Sequence, residues 1–283
     1  MLAIAAHFPN LVPRFTISQI PNCTVGIMHI FDIHTHPIWR LTGKTPDEES
    51  RLIRHFRSLG ITRANMLGDV SRYGFHPTED QIREINTDSI QLAARHPDFY
   101  TFFCYLNPKL GERAVMREVE RCAAAGARGI KLEKANCAAD PCMRHVAKAA
   151  RTFGLVVLQH SWSMDTHDGG SGVQSDPEHT ALFARRNPEV NIIMAHLIGC
   201  GYRGVLAVKD LPNVWVDTSG GYPEAQIIEY TVEQLGAERV LFGSDLPIRE
   251  CSVKIGAITG AAISKSAQQS ILYDNTARLL GVA

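Results

Sequence analysis

The residues best suited to chemistry in this chain are histidines at close spacing or at the ends of apolar runs. His34-Thr35-His36 closes the run FDIHTHP. Residues two apart in a strand point to the same side, so both imidazoles can converge on one metal ion while Thr35 faces away from it. The competing possibility is a pair of solvated histidines in a loop. His160 ends GLVVLQH and His196 ends NIIMAH. Either one alone would pass as a hydrogen-bonded core or loop residue, but two that each terminate an apolar run point to a shared site. Asp245 follows RVLFGS, where an acid could equally cap a turn or a helix. Lys131, in GIKLE, shares a strand side with Glu133. It is either a structural lysine paired with Glu133 or Asp217, or a mouth lysine that binds a substrate carboxylate or, once carbamylated, bridges two metals.

These residues need elements to bring them together. From Met28 onward, short apolar runs alternate with longer amphipathic stretches, the pattern of parallel strands joined by helical crossovers. The runs HIFDIH, ITRANML, FYTFFCYL, ARGIKLE, GLVVLQH, VNIIMAH, NVWVDT and RVLFGSD read as eight strands. Several are apolar throughout, as strands buried on both faces are. In GERAVMREVERCAAAG, Val115, Met116, Val119, Cys122 and Ala123 recur at helical spacing, with Arg117, Glu118 and Arg121 outside. PDEESRLIRHFRSLG opens with Pro46 and acids, the signature of a helix N-terminus. The pattern predicts an α/β fold, a distorted (β/α)8 TIM barrel, with a doubly wound open sheet as the competing topology. The polar residues favour the barrel, because they fall at the carboxyl ends of strands, where barrel sites are built. A closed barrel also makes strands one and eight neighbours, which brings Asp245 to His34 and His36. Residues 1–27 read as a short N-terminal extension and 28–283 as the barrel.

Composition narrows the function. Lys+Arg and Asp+Glu both total 29, so no basic field draws the chain to nucleic acid or an anionic membrane, and a small-molecule substrate is expected. The seven cysteines are scattered without a Cys-x-x-Cys pair, against a disulfide framework or a zinc ribbon and for a reducing, cytoplasmic setting. No stretch approaches the roughly 20 apolar residues of a membrane span.

Read in order, His34-x-His36, Lys131, His160, His196 and Asp245 resemble the amidohydrolase superfamily. The words FDIHTHP, GARGIKLE, VLQH, IMAHLIG, VWVDTSG, VLFGSDLP and YDNTARLLG are similar to its amidohydrolase-related (amidohydrolase 2) branch over about residues 28–281. The resemblance implies a divalent metal held by His34, His36, His160 and Asp245, with Asp245 also moving a proton. His196 would be a second catalytic residue, polarising substrate or orienting water, or a ligand to a second metal. Lys131 matches a lysine carbamylated in some two-metal members and unmodified in much of this branch, so one ion per chain is expected. Three imidazoles and a carboxylate suit Zn2+ better than magnesium or calcium. Asp32 and Asp217 are candidates to orient the imidazoles.

Hydrolysis of an amide, lactone or ester is the first expectation. Nonoxidative decarboxylation of an aromatic or unsaturated carboxylate is the alternative, for which Arg72, Lys131, Arg203 and Arg249 are candidate carboxylate grips. A TatD-like deoxyribonuclease, which would need Glu133 as a ligand, and an inactive metal-binding barrel rank below both. Loop residues Arg72, Tyr73 and His76, and Trp162 in the long loop SWSMDTHDGGSGVQSDPEHT with His167, Asp168 and His179, are expected to shape specificity, that loop as a lid. Trp215 and Phe242 read as packing residues, and a homodimer is expected from the family's habit.

Overall fold

The computed structural model describes residues 29–37, 44–132, 136–163 and 175–282. Eight strands, β1 (Ile30–Thr35), β2 (Ile61–Met66), β3 (Tyr100–Leu106), β4 (Gly129–Leu132), β5 (Val156–Gln159), β6 (Ile192–Met194), β7 (Val214–Asp217) and β8 (Val240–Leu241), pair in sequence order, every pair parallel. β8 is only two residues long, and the seam between it and β1 is closed by backbone bonds. Ile33 N donates to Phe242 O at 2.9 Å, Asp245 N to His34 O at 2.8 Å and His36 N to Leu246 O at 2.8 Å. Those bonds rule out the open sheet and make the barrel that the strand pattern predicts.

Helices cover the outside: α1 (Pro46–Ser58), α2 (Glu79–Arg95), α3 (Glu112–Ala124), α4 (Met143–Phe153), α5 (Pro177–Arg186), α6 (Leu197–Val208), α7 (Ile227–Leu235), α8 (Cys251–Thr259), α9 (Lys265–Gln269) and α10 (Asn275–Leu280). Their starts are written in the sequence. Thr45 and Glu48 form a reciprocal cap on α1, with Pro46 in its first turn, and Thr78 and Gln81 do the same for α2. α3 buries Val115, Val119 and Cys122, as its period predicts. Glu118 departs from the prediction. It is buried against α2, accepting from Asn86 Nδ2 at 2.8 Å and holding Arg121 through two contacts, because the neighbouring helix supplies a polar partner that periodicity does not register.

Alternate strand residues fill the barrel interior: Phe31, Ile33, Leu67, Phe103, Val156, Leu158, Ile193, Ala195 and Leu241 form one apolar cluster, against which Leu280 of α10 packs. Phe242 is fully buried in the larger layer between strands and helices, while half-buried Trp215 packs against the inner cluster. The apolar fill stops near the carboxyl ends of the strands, where polar side chains take over. Among the described residues no helix is long and apolar enough to cross a membrane. The extension at residues 1–27 lies outside the described residues, as do Glu133, His167 and Asp168.

Candidate metal and active site

β1 delivers His34 and His36 to the barrel mouth on one side, with the Thr35 hydroxyl turned outward to donate to Asn65 O at 2.8 Å. The loop after β8 delivers Asp245, and the ends of β5 and β6 deliver His160 and His196. His34 Nε2 and His36 Nε2 each lie 3.5 Å from Asp245 Oδ1, and His196 Nε2 lies 3.9 Å from Asp245 Oδ2. The His160 and His196 rings meet edge to face with centroids 4.5 Å apart. Among the described residues, the grouping able to hold a metal ion is His34, His196 and Asp245, whose ligand atoms all lie within 4.8 Å of one another. His196 therefore sits inside the donor cluster, while His36 and His160 flank it.

Hydrogen bonds behind the rings fix their tautomers. His36 Nδ1 faces Gly68 O at 3.0 Å and His196 Nδ1 faces Ser161 O at 3.2 Å. A carbonyl only accepts, so both Nδ1 atoms carry the proton and both Nε2 atoms keep a lone pair. His34 Nδ1 is 2.8 Å from Asp217 Oδ2, with Ser219 Oγ at 3.0 Å, and its Nε2 is buried without a hydrogen-bond partner. Three imidazole lone pairs and one carboxylate thus point at one place. A buried lone pair with no donor is costly in a finished protein, and a cation supplies what it lacks. The donor set fits a divalent transition metal.

The electrostatics keep these groups in the right state. Burial drives His196 down to about 3, against the opposing pull of Asp245 and with His34 adding to it. Burial likewise lowers His34, and takes His160 well below its ordinary value with help from His196 and Lys131. Burial would raise Asp245, but His36, His34 and His196 gathered around it hold it well below the usual carboxylate range. Asp217 behaves similarly: burial pushes it up, and His34 more than compensates. Neutral imidazoles beside ionised carboxylates are the forms that bind metal. Asp32, pushed up to about 7 by burial, accepts instead from the backbone of His34 and Ser244, each at 3.0 Å, so it braces the β1–β8 seam.

A cavity of about 450 Å3 opens above the cluster, lined by His36, Lys131, His160, His196 and Asp245 together with Val70, Ser71, Phe75, Trp162, Ile248 and Arg249. Lys131 is almost wholly buried at its floor. Trp162 stands edge-on to His196, centroids 5.6 Å apart. Arg72 and Tyr73 turn the other way: Arg72 pairs with Glu84 and, at 2.7 Å, with Asp88, and the Tyr73 hydroxyl bonds Glu84. Arg203 bonds Glu178 and Asp176, and His76 is exposed away from the cavity lining. His179 accepts from Asp176 N at the start of α5, a capping role.

Sequence reading did not single out Ser219, Ser71, Phe75 or Lys254. Ser219 had a signal, standing two residues after Asp217 and so on the same side of its strand end; it bonds both Asp217 and His34. Ser71 and Phe75 flank the Arg72-Tyr73 pair, and one-dimensional position does not say which loop residues turn inward. Lys254, on α8, gave no signal.

A parallel barrel with a histidine–aspartate donor cluster at its mouth defines a metal-binding barrel of the amidohydrolase type. Residues 31–282 match the amidohydrolase family, and the chain belongs to it. In three dimensions it is similar to a 5-carboxyvanillate decarboxylase from Sphingomonas paucimobilis (16% identity, TM-score 0.68, covering 90% of this chain and 100% of the other). It is also similar to a 2,6-dihydroxybenzoate decarboxylase from Rhizobium (16% identity, TM-score 0.70, 90% and 99% covered). A third similar structure is a dihydroxybenzoic acid decarboxylase from a Polaromonas species with bound manganese and the inhibitor 2-nitroresorcinol (16% identity, TM-score 0.70, 90% and 97% covered). No protein of curated function matches the sequence.

Proposed function

We propose that this protein is a metal-dependent, nonoxidative decarboxylase of a small aromatic or unsaturated carboxylate. The observation that carries the reading is the company Lys131 keeps: a buried lysine and Arg249 line the same cavity as Phe75, Trp162, Val70 and Ile248, beside Asp245 and the histidines. Aromatic walls suit a flat ring, and cations suit its carboxylate. The decarboxylases named above share the fold, which supports the reading by analogy only.

His34, His36, His160 and Asp245 would hold the metal, with His196 in reach as a further ligand or a substrate contact. When bound, a divalent ion such as zinc or manganese supplies Lewis acidity that orients and polarises a substrate's oxygen atoms. The protein's own groups do the rest. Lys131 and Arg249 bind the anionic substrate, and Phe75 and Trp162 exclude water from its ring. Asp245, ionised, takes a proton from the substrate's hydroxyl or from water. The bond to the carboxylate carbon breaks, carbon dioxide leaves, its electron pair stays on the ring or vinyl carbon, and Asp245 returns the proton to that carbon.

Hydrolysis of a lactone, ester or amide is the second reading. It is favoured by the donor set itself, since neutral imidazoles around one ionised carboxylate equally suit activation of water. The test is a panel of hydroxybenzoates, unsaturated dicarboxylates, lactones and amides given to metal-loaded enzyme, with carbon dioxide and proton release followed in parallel. Carbon dioxide from a carboxylate, lost by roughly 10²–10⁴-fold in Asp245→Asn, is expected. Proton release from a lactone or ester, or amine release from an amide, without carbon dioxide from any carboxylate would overturn decarboxylation in favour of hydrolysis.

A further inference from the structure

We infer that Lys254 is a positioning residue for His196, pinning the turn after β7 so that this turn holds the histidine's backbone in place. The inference rests on His196 belonging to the site proposed above.

A lysine on a covering helix ordinarily carries its ammonium to water. Lys254, in α8, is 2% exposed. Its Nζ donates to two consecutive backbone carbonyls, Gly220 O at 3.2 Å and Gly221 O. Those two residues form the turn that faces the end of β6. Gly220 has φ +101, and a Cβ there would sit 2.2 Å from Ile198 O and 3.0 Å from His196 Cβ. The turn and the β6 end are also hydrogen-bonded to each other: Gly221 N donates to Ile198 O, and Ile198 N donates to Ser219 O at 3.2 Å. His196 N itself donates to Asp217 Oδ1 and Ser219 Oγ, both at 3.2 Å.

His196 needs such support. Its backbone is left-handed, φ 65 and ψ 56, a conformation unfavourable to a non-glycine residue unless its surroundings impose it. The residues after it do not impose it by helix formation, because the first turn of α6 is irregular at Ile198, Gly199 and Gly201. What abuts His196 from the β7 side is the Ser219–Gly221 turn, and Lys254 is the side chain from a third element that ties that turn down. Charge-assisted bonds to two carbonyls are strong, and their loss would leave both acceptors short of a donor. Burial lowers the ammonium to about 8, with Arg249 adding to the fall and the carboxylates of Asp245 and Asp217 opposing it.

The experiment compares wild type with Lys254→Met, which removes the donor, and Lys254→Gln, which keeps a donor without the charge. Three quantities are read: the His196 tautomer by 15N NMR of the imidazole, the affinity for Mn2+ by the free-ion EPR signal, and the melting temperature. The Met variant is expected to lose the single Nδ1–H tautomer of His196 and to bind Mn2+ roughly 10-fold more weakly, with Gln recovering part of both. A Met variant that melts lower but keeps wild-type His196 signals and Mn2+ affinity would overturn the inference, leaving Lys254 a purely structural tie. If the Met variant fails to fold, the Gln variant carries the comparison: a wild-type tautomer and affinity there would equally overturn it. Wild-type protein that binds no Mn2+ would instead sink the proposed site, and the tautomer comparison would still decide the role of Lys254.

Discussion

His34 on the first strand and Asp217 on the seventh meet inside the barrel, Nδ1 to Oδ2 at 2.8 Å, with both side chains fully buried. The ionised carboxylate fixes the His34 proton on Nδ1 and so leaves Nε2 facing Asp245 at 3.5 Å. Asp217→Asn removes the charge and offers an amide that can donate, which permits the opposite tautomer. Affinity for a divalent metal is expected to fall about 10–100-fold with the fold retained, measured by titration calorimetry with Zn2+ and Mn2+. Unchanged affinity would show that His34 is not a ligand.

The metal-free protein is expected to be acid-sensitive well above the carboxylate range. His196, His160 and His34 have folded values below their ordinary 6.5, so between there and the His196 value of about 3 the unfolded chain binds protons that the folded one does not. Stability from these groups is present above 6.5 and drains away as pH falls. Asp245 and Asp217, also depressed, add their loss below about 4. Asp32 acts oppositely: raised to about 7, it contributes stability at low pH that is lost as pH rises through 7. Three histidines outweigh one acid, so each net proton removes up to about 1.4 kcal/mol per pH unit on acidification. Urea midpoints of metal-free protein at pH 7, 5.5 and 4.5 should fall in that order; a flat or rising series would contradict the neutral, buried histidines.

The barrel and the centre of its site could be read in one dimension because both rest on local pattern. A strand buried on both faces is apolar throughout, and a polar residue that ends such a run stands at a barrel mouth, which is why His34, His36, His160, His196 and Asp245 converge as their positions suggest. The walls of the site do not follow a period. Arg72 and Tyr73 sit in the right loop, but Glu84 and Asp88 on α2 draw them outward, while Ser71 and Phe75 beside them line the cavity. Glu118 and Lys254 fall at helix positions that resemble solvent-facing ones, and only the neighbouring elements reveal that they are buried.

Gly199 admits the Trp162 ring: a Cβ there would lie 2.8 Å from Trp162 Cε3. Gly199→Ala is therefore expected to tilt the indole off His196, shift its fluorescence and cost about 1–3 kcal/mol. Trp162→Phe assigns the signal. An unshifted Trp162 emission would show that the ring is not held by this contact.

Glu118 is nearly enclosed, with Asn86 and Arg121 as partners. Glu118→Ala is expected to lower stability by about 2 kcal/mol, since it removes the acceptor that ties Asn86 to Arg121 between α2 and α3, although Asn86 keeps Tyr105 O and Arg121 reaches water. Chemical denaturation measures it, and a loss under about 1 kcal/mol would mean that water replaces the carboxylate freely.

The seam between β1 and β8 also sets an order of events on a ribosome. Asp32 and Ser244, which bond across it, are 212 positions apart in the chain, and Asp245 beside them completes the donor cluster. His34 and His36 come on the first strand, yet their carboxylate partner is added only after seven more strands have been made. Until then the histidine pair has no Asp245 to share an ion with, so capture of a metal by the full set would report that the eighth strand has arrived.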